Sequence, residues 1–152
     1  MTEPRPYPEV HVAGFAMRRS FGIPQILFCR RAESRRYFPG QWDGCGGRLQ
    51  PGLSFETAIW HHFHDEFGLY VRPLEHVVLY SFEGDGGVVP GVRFLCKLHP
   101  VGPQEPLLNP ERHTEYRWVD RNNIVQFYKE NEFIPGICAA ARELLALNGP
   151  MS

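Results

Sequence analysis

The sequence predicts an α+β domain, a mixed sheet flanked by helices. Three observations predict it. Two strand-like runs flank a turn near the start, EVHVAGFAMRR (Glu9–Arg19) and QILFCRR (Gln25–Arg31), across FGIP. A capped amphipathic helix stands in the middle, and further strands and two shorter helices follow it.

Pro4, Pro6 and Pro8 make residues 1–8 an extended lead-in, and residues 9–152 read as a single domain without repeats or a linker. At 152 residues the chain can bury a core without disulfides or a structural metal. Residues 32–52 read as a loop rich in Arg, Gly and Pro, with aromatic residues at Tyr37, Phe38 and Trp42. The helix spans Ser54–Phe67: Ser54 is a good N-cap, Glu56 favours the first turn and Gly68 suits the C-terminal glycine. Phe55, Ile59, Phe63 and Phe67 recur every four residues as its buried stripe. Strands at Leu74–Phe82 and Val92–Leu98 are joined by the hairpin-type EGDGGVVPG, and EYRWV (Glu115–Val119) is a short late strand with Trp118 in the core. Asp120 caps a short helix over Asn122–Lys129, and Pro135 opens one running to about Leu147.

A net charge of −1 and a pI near 6.6 argue against a nucleic-acid-binding protein. Arg30, Arg31, Arg35 and Arg36 do cluster, as a solvated loop face or as a patch that steers phosphate. Cys29, Cys45, Cys96 and Cys138 are scattered without a CxxC, so reduced thiols and a cytoplasmic setting are expected. The beginning of the chain lacks signal-peptide character, and no apolar run approaches a membrane span.

The chemistry concentrates on the central helix. His62, Asp65 and Glu66 stand at i, i+3 and i+4, which puts them on one face. Two carboxylates suit Mg²⁺, and the imidazole tilts the preference towards Mn²⁺ or another transition metal. Gly46, Gly47 and Gly52 lead in, letting backbone pass close to a ligand. His61 and His64 invite a zinc reading, but His64 lies on another face from His62 and no cysteine is near.

GGRLQPGLSFETAIWHHFHDEFGL (Gly46–Leu69) resembles the signature of the Nudix hydrolase superfamily, GX5EX7REUXEEXGU, in the MutT-like manner. Gly47, Phe63, Glu66, Gly68 and Leu69 match, and Asp65 replaces a glutamate. Three positions depart: Leu53 for the first glutamate, His61 for the arginine and His62 for the next glutamate. GQW, Ala58 and EYRWV fit the family's surroundings, so the resemblance covers roughly residues 9–147.

The resemblance implies a Nudix-type α/β/α sandwich and a metal-dependent hydrolase that cleaves a diphosphate linkage in a nucleoside diphosphate derivative. It makes His62, Asp65 and Glu66 the metal residues, with Mg²⁺ or Mn²⁺ as cofactor. Glu66 and His62 are the catalytic candidates on the helix. In the family the first glutamate and the arginine pair with each other. Their joint loss at Leu53 and His61 strands no charge, so it reads as a structural exchange. QEPLL (Gln104–Leu108) resembles the segment that carries a further carboxylate, making Glu105 a third catalytic candidate, with Glu111 and Glu115 as rivals.

Arg35, Arg36, Tyr37, Phe38, Trp42, Gly46 and Gly47 are candidate substrate-binding residues. The aromatic ones either stack on a nucleobase or simply pack. The expected partner is a small nucleotide-type diphosphate, with no nucleic acid and no membrane, and oligomeric state is left open, a homodimer included. The rival reading is a Nudix-fold binding or interaction module of weak or no activity, and a diphosphate isomerase on the same fold is a third.

Overall fold

The computed structural model describes residues 8–148. The proline-rich lead-in therefore lies outside the described residues except for Pro8. Seven strands form one sheet with the path β3-β2-β1-β6-β5, while β4 pairs with β1 and β7 with β2. Strands β1 (His11–Ser20) and β2 (Ile23–Arg31) make a hairpin whose two turn residues, Phe21 and Gly22, both take positive φ, 49° and 79°. That turn matches the twist of the strands it joins. Strands β5 (Val71–Gly84) and β6 (Gly87–Leu98) form the long second hairpin, turning at Asp85 and Gly86. Only β1 and β6 run parallel among the paired strands, so the sheet is mixed.

Two strands form where a loop was expected, β3 (Trp42–Asp43) and β4 (Cys45–Arg48). Both are short, and partners in the sheet define them. The first half of β1, His11–Gly14, pairs with β4, and its second half, Met17–Ser20, pairs with β2. The sheet thus forks along β1, and Asp43 and Gly44 bridge the two branches.

Alternation along the central strands sorts the core into two layers. Val12, Ala16, Leu27, Cys29, Phe94 and Cys96 face helix α1 (Phe55–Phe67), whose Ile59, Phe63 and Phe67 are fully buried. Phe15, Met17, Ile26, Phe28 and Leu95 face the opposite way, onto α2 (Ile124–Glu130) and α3 (Ile137–Leu147). The result is helix, sheet, helix.

Local chemistry sets the limits of α1. Ser54 Oγ accepts from Thr57 N at 3.1 Å, and Gly68 closes the helix in the left-handed region with φ 66°. Phe55 is only half-buried, at the edge of the stripe. Asn123, not Asp120, takes the N-cap position of α2; Asp120 instead accepts from Asn122 N in a turn before the helix. Helix α3 begins two residues after Pro135, following Gly136 in the left-handed region. Among the described residues all four cysteines are free thiols. No helix among them is long and apolar enough to cross a membrane.

Candidate active site

Glu66 ends the polar flank of α1, where the helix runs beside β4. Its side chain is only 9% exposed, and both carboxylate oxygens are engaged. Arg112 Nη1 donates to Oε1 at 3.1 Å, while the Cys45 thiol donates to Oε2 at 3.4 Å. His62 Nδ1 lies 3.6 Å from Oε2. Burial alone would raise the Glu66 pKa, but the hydrogen bond and charge of His62, with Arg112, hold it below the ordinary value.

His62 is fixed at both ring nitrogens. Nε2 lies 2.9 Å from the carbonyl of Arg48, so it carries the proton of that bond, and Nδ1 is turned to Glu66. The hydrogen bond to Glu66 raises the His62 pKa against the opposing effect of burial. Gly47 makes this placement possible. A Cβ there would stand 2.6 Å from His62 Cε1, so the close approach expected of that glycine is made by the imidazole. Gly46 meets the same limit against β1, with a Cβ placed 2.7 Å from Val12 O.

Asp65 does not join this pair. Its carboxylate is 70% exposed and rests 3.2 Å from His64 Nδ1. Among the described residues no group of three or more His, Cys, Asp or Glu is placed to hold a metal, and Asp65 stands apart from His62 and Glu66. His64 stacks on Trp60 and His61 meets the edge of the same indole, so neither turns towards Glu66. Leu53 packs against the core layer under α1. The position of the family's first glutamate is thus filled by an apolar contact.

Glu105 is held elsewhere. It accepts from Arg18 Nη1 at 2.7 Å, Tyr116 Oη at 3.0 Å and Trp118 Nε1 at 3.0 Å. Burial opposes these three donors, which together keep its pKa below the ordinary carboxylate value. Trp118 is half-buried rather than core, with the Arg18 guanidinium 4.0 Å above its ring.

The loop residues divide. Trp42 is 3% exposed, sits edge-on to Phe127 and donates from Nε1 to Asn131, so it is a core residue and not a base-stacking one. Phe38 is half-buried with φ 51° and closes the turn to Gln41. Tyr37 and Arg36 line an open groove of about 890 Å³, with Glu9, His11, Arg48 and Phe82. Phe82 meets both His11 and Tyr37 edge-to-face, at 4.8 and 6.3 Å between ring centroids. Arg36 pairs with Asp85 across the hairpin tip at 2.9 Å. Arg48 joins groove and helix: its guanidinium lines the groove while its carbonyl accepts from His62. Arg35 donates from Nη1 to Arg112 O, beside Glu66.

Sequence reasoning missed Arg112, His113, Cys45 and Asp43. None belongs to a motif, and each reaches the site through sheet pairing or loop closure. His113 is 4% exposed against Phe67, and burial pushes its pKa down to about 4. Asp43 pairs with Arg31 at 3.5 Å, and burial raises its pKa.

This arrangement, a forked mixed sheet between helix layers with a glycine loop leading to a carboxylate-bearing helix, defines a class. Residues 8–144 match the NUDIX domain family, and the chain belongs to it. A nucleoside triphosphatase NudI from Klebsiella pneumoniae is 33% identical over 81 residues, 53% of this chain and 51% of that protein, so the match spans about half the relative's length. The NudI of Escherichia fergusonii is 24% identical over 131 residues, covering 81% of this chain and 86% of that one. Among solved structures, a binary complex of Ap4A hydrolase from C. elegans superposes with a TM-score of 0.72 at 16% identity, covering 92% of this chain and 97% of that chain. A MutT protein from Methanosarcina mazei superposes with a TM-score of 0.66 at 24% identity, covering 90% and 88%. The fold is the Nudix α/β/α sandwich, and the relatives named for an activity are hydrolases.

Nudix hydrolases generally use divalent metal ions. The residues present fit such an ion as a pair, not as a complete cage. In the neutral Nε2–H tautomer, His62 presents the lone pair of Nδ1 towards Glu66 Oε2, an arrangement that is unfavourable unless a proton or a cation lies between them. Further ligands would have to come from water or from substrate oxygens.

Proposed function

We propose that the chain is a metal-dependent hydrolase that cleaves a diphosphate linkage in a nucleoside diphosphate derivative, with water as nucleophile. The observation that carries this reading is the pairing of His62 Nδ1 with Glu66 Oε2, half-enclosed beside the glycine loop and flanked by arginines. The altered histidine keeps a donor where the family has a glutamate. Mg²⁺ or Mn²⁺ held by Glu66 and His62 would neutralise phosphate oxygens and lower the pKa of the attacking water.

The chain's own residues supply the rest. Arg35 and Arg112 stand beside Glu66 and suit phosphate oxygens. The aromatic wall of Phe82, Tyr37 and His11 suits the planar base, placed one residue's width from the helix through Arg48. The relatives' names make nucleoside triphosphates the first substrates to try.

A panel of nucleoside triphosphates, nucleotide sugars, dinucleoside polyphosphates and isoprenoid diphosphates, assayed with Mg²⁺ and Mn²⁺ separately, tests the reading. Mn²⁺ should exceed Mg²⁺, because imidazole favours the softer ion, and His62→Glu should shift preference back towards Mg²⁺. In the metal-free protein Glu66 holds the His62 proton more tightly than usual, so apparent Mn²⁺ affinity should fall as pH drops through a midpoint above the ordinary 6.5. Inactivity with every metal and substrate, cured by His62→Glu, would leave a binding module in place of an enzyme.

A further inference from the structure

Glu66 already carries a cation of the chain's own. Arg112 Nη1 is 3.1 Å from Oε1, yet the arginine side chain is 52% exposed against 9% for the glutamate. Its backbone is pinned: Arg112 N donates to Asn109 O at 2.9 Å, and its carbonyl accepts from Ala32 N at 2.9 Å and from Arg35 Nη1 at 3.4 Å. The peptide is therefore fixed while the guanidinium reaches in from solvent on a long, flexible stem. Arg31 and Arg35 stand behind it, and Arg31 is committed to Asp43 and to the Tyr37 carbonyl. A nearly enclosed carboxylate cannot easily stay charged alone, so something positive must face it at every stage of a catalytic cycle.

We propose that Arg112 is a displaceable counter-cation: it neutralises Glu66 in the metal-free protein, and a divalent cation taken up by Glu66 and His62 releases it to a phosphate oxygen of the substrate. The metal and the arginine compete for one carboxylate, whereas metal-bound substrate and arginine cooperate. Arginine suits the second half, because its planar guanidinium matches phosphate geometry and stays charged throughout. The phosphate half rests on the hydrolase reading above; the competition half does not.

The test is a Mn²⁺ titration followed by electron paramagnetic resonance of the free ion, on wild type, Arg112→Gln and Arg112→Lys, with and without methylenediphosphonate as a non-hydrolysable diphosphate. Without the diphosphonate, Arg112→Gln should bind Mn²⁺ about ten-fold more tightly than wild type, since the competing charge is gone. With Mn²⁺ saturating, the same variant should bind the diphosphonate about ten-fold more weakly, with Arg112→Lys between the two. Mn²⁺ affinity unchanged or weakened in Arg112→Gln would overturn the proposal and leave the arginine a static support for Glu66. Tighter Mn²⁺ with unchanged diphosphonate binding would overturn the hand-over to substrate. Melting curves accompany each variant, and Arg112→Met, which keeps the stem without the charge, repeats the titration if the Gln variant folds poorly. No turnover is needed, so a chain that proves unable to hydrolyse anything can still pass or fail.

Discussion

Glu66 and Glu105 are both ringed by donors, and the two rings differ in how readily they can open to a ligand. Glu105 is 53% exposed but held by Arg18, Tyr116 and Trp118 from two strands, with Arg18 itself anchored to Gln104 O and stacked on Trp118. Glu66 is nearly enclosed, yet its strongest partners are an exposed arginine and an imidazole that can give up its proton. Exposure alone would single out Glu105, whereas the proposed reading rests on Glu66. On the proposed reading, what sets Glu66 apart is how easily its partners can be exchanged for a ligand.

The sharpest break comes from Glu66→Gln, which should lower turnover at least about a hundred-fold, the effect expected for losing the charged group at a reacting centre. Steady-state kinetics with Mn²⁺ check it, and residual activity within ten-fold of wild type would move the chemistry elsewhere. Next comes His113, in the wall beside Glu66. Its folded pKa near 4 lies below the ordinary 6.5, so the unfolded chain binds the extra proton between those values. Stability contributed by the neutral ring is therefore complete above about pH 6.5 and is lost as pH falls towards 4, by up to about 3 kcal/mol. Urea unfolding at several pH values reads this directly, and His113→Gln should flatten the slope.

Gly47→Ala is smaller in stability but pointed in effect. The new methyl would press on the His62 ring, which its bond to Arg48 O holds in place, at a cost of about 1–2 kcal/mol. Mn²⁺ affinity should fall with it, whereas the same substitution at the exposed Gly86, where a Cβ meets nothing within 4 Å, should leave Mn²⁺ binding alone. The least effect is expected from Glu105→Gln: about 1 kcal/mol or less of stability and under ten-fold in turnover. A larger loss of turnover would return Glu105 to the reacting centre.

How much of this was legible in the sequence depends on how local its cause is. The limits of α1 could be read because Ser54 and Gly68 act within one turn of the helix they close. The forked sheet could not, since β3 and β4 are only two and four residues long, β4 is half glycine, and both exist through their pairing with β2 and β1. Trp42 read as a loop aromatic for that reason and proved to be core. The spacing of His62 and Glu66 correctly brought them together, but one-face geometry says nothing of side-chain direction, and Asp65 turned to His64. Arg112 was out of reach altogether, lying 46 positions from the glutamate it neutralises.

The most direct test of the central claim, that His62 and Glu66 form a working cation site, is Mn²⁺ binding to the wild-type protein, His62→Ala and Glu66→Gln at pH 8. Saturable binding in the millimolar range or tighter is expected for wild type, weakened in His62→Ala and lost in Glu66→Gln. Equal binding in all three proteins would contradict it.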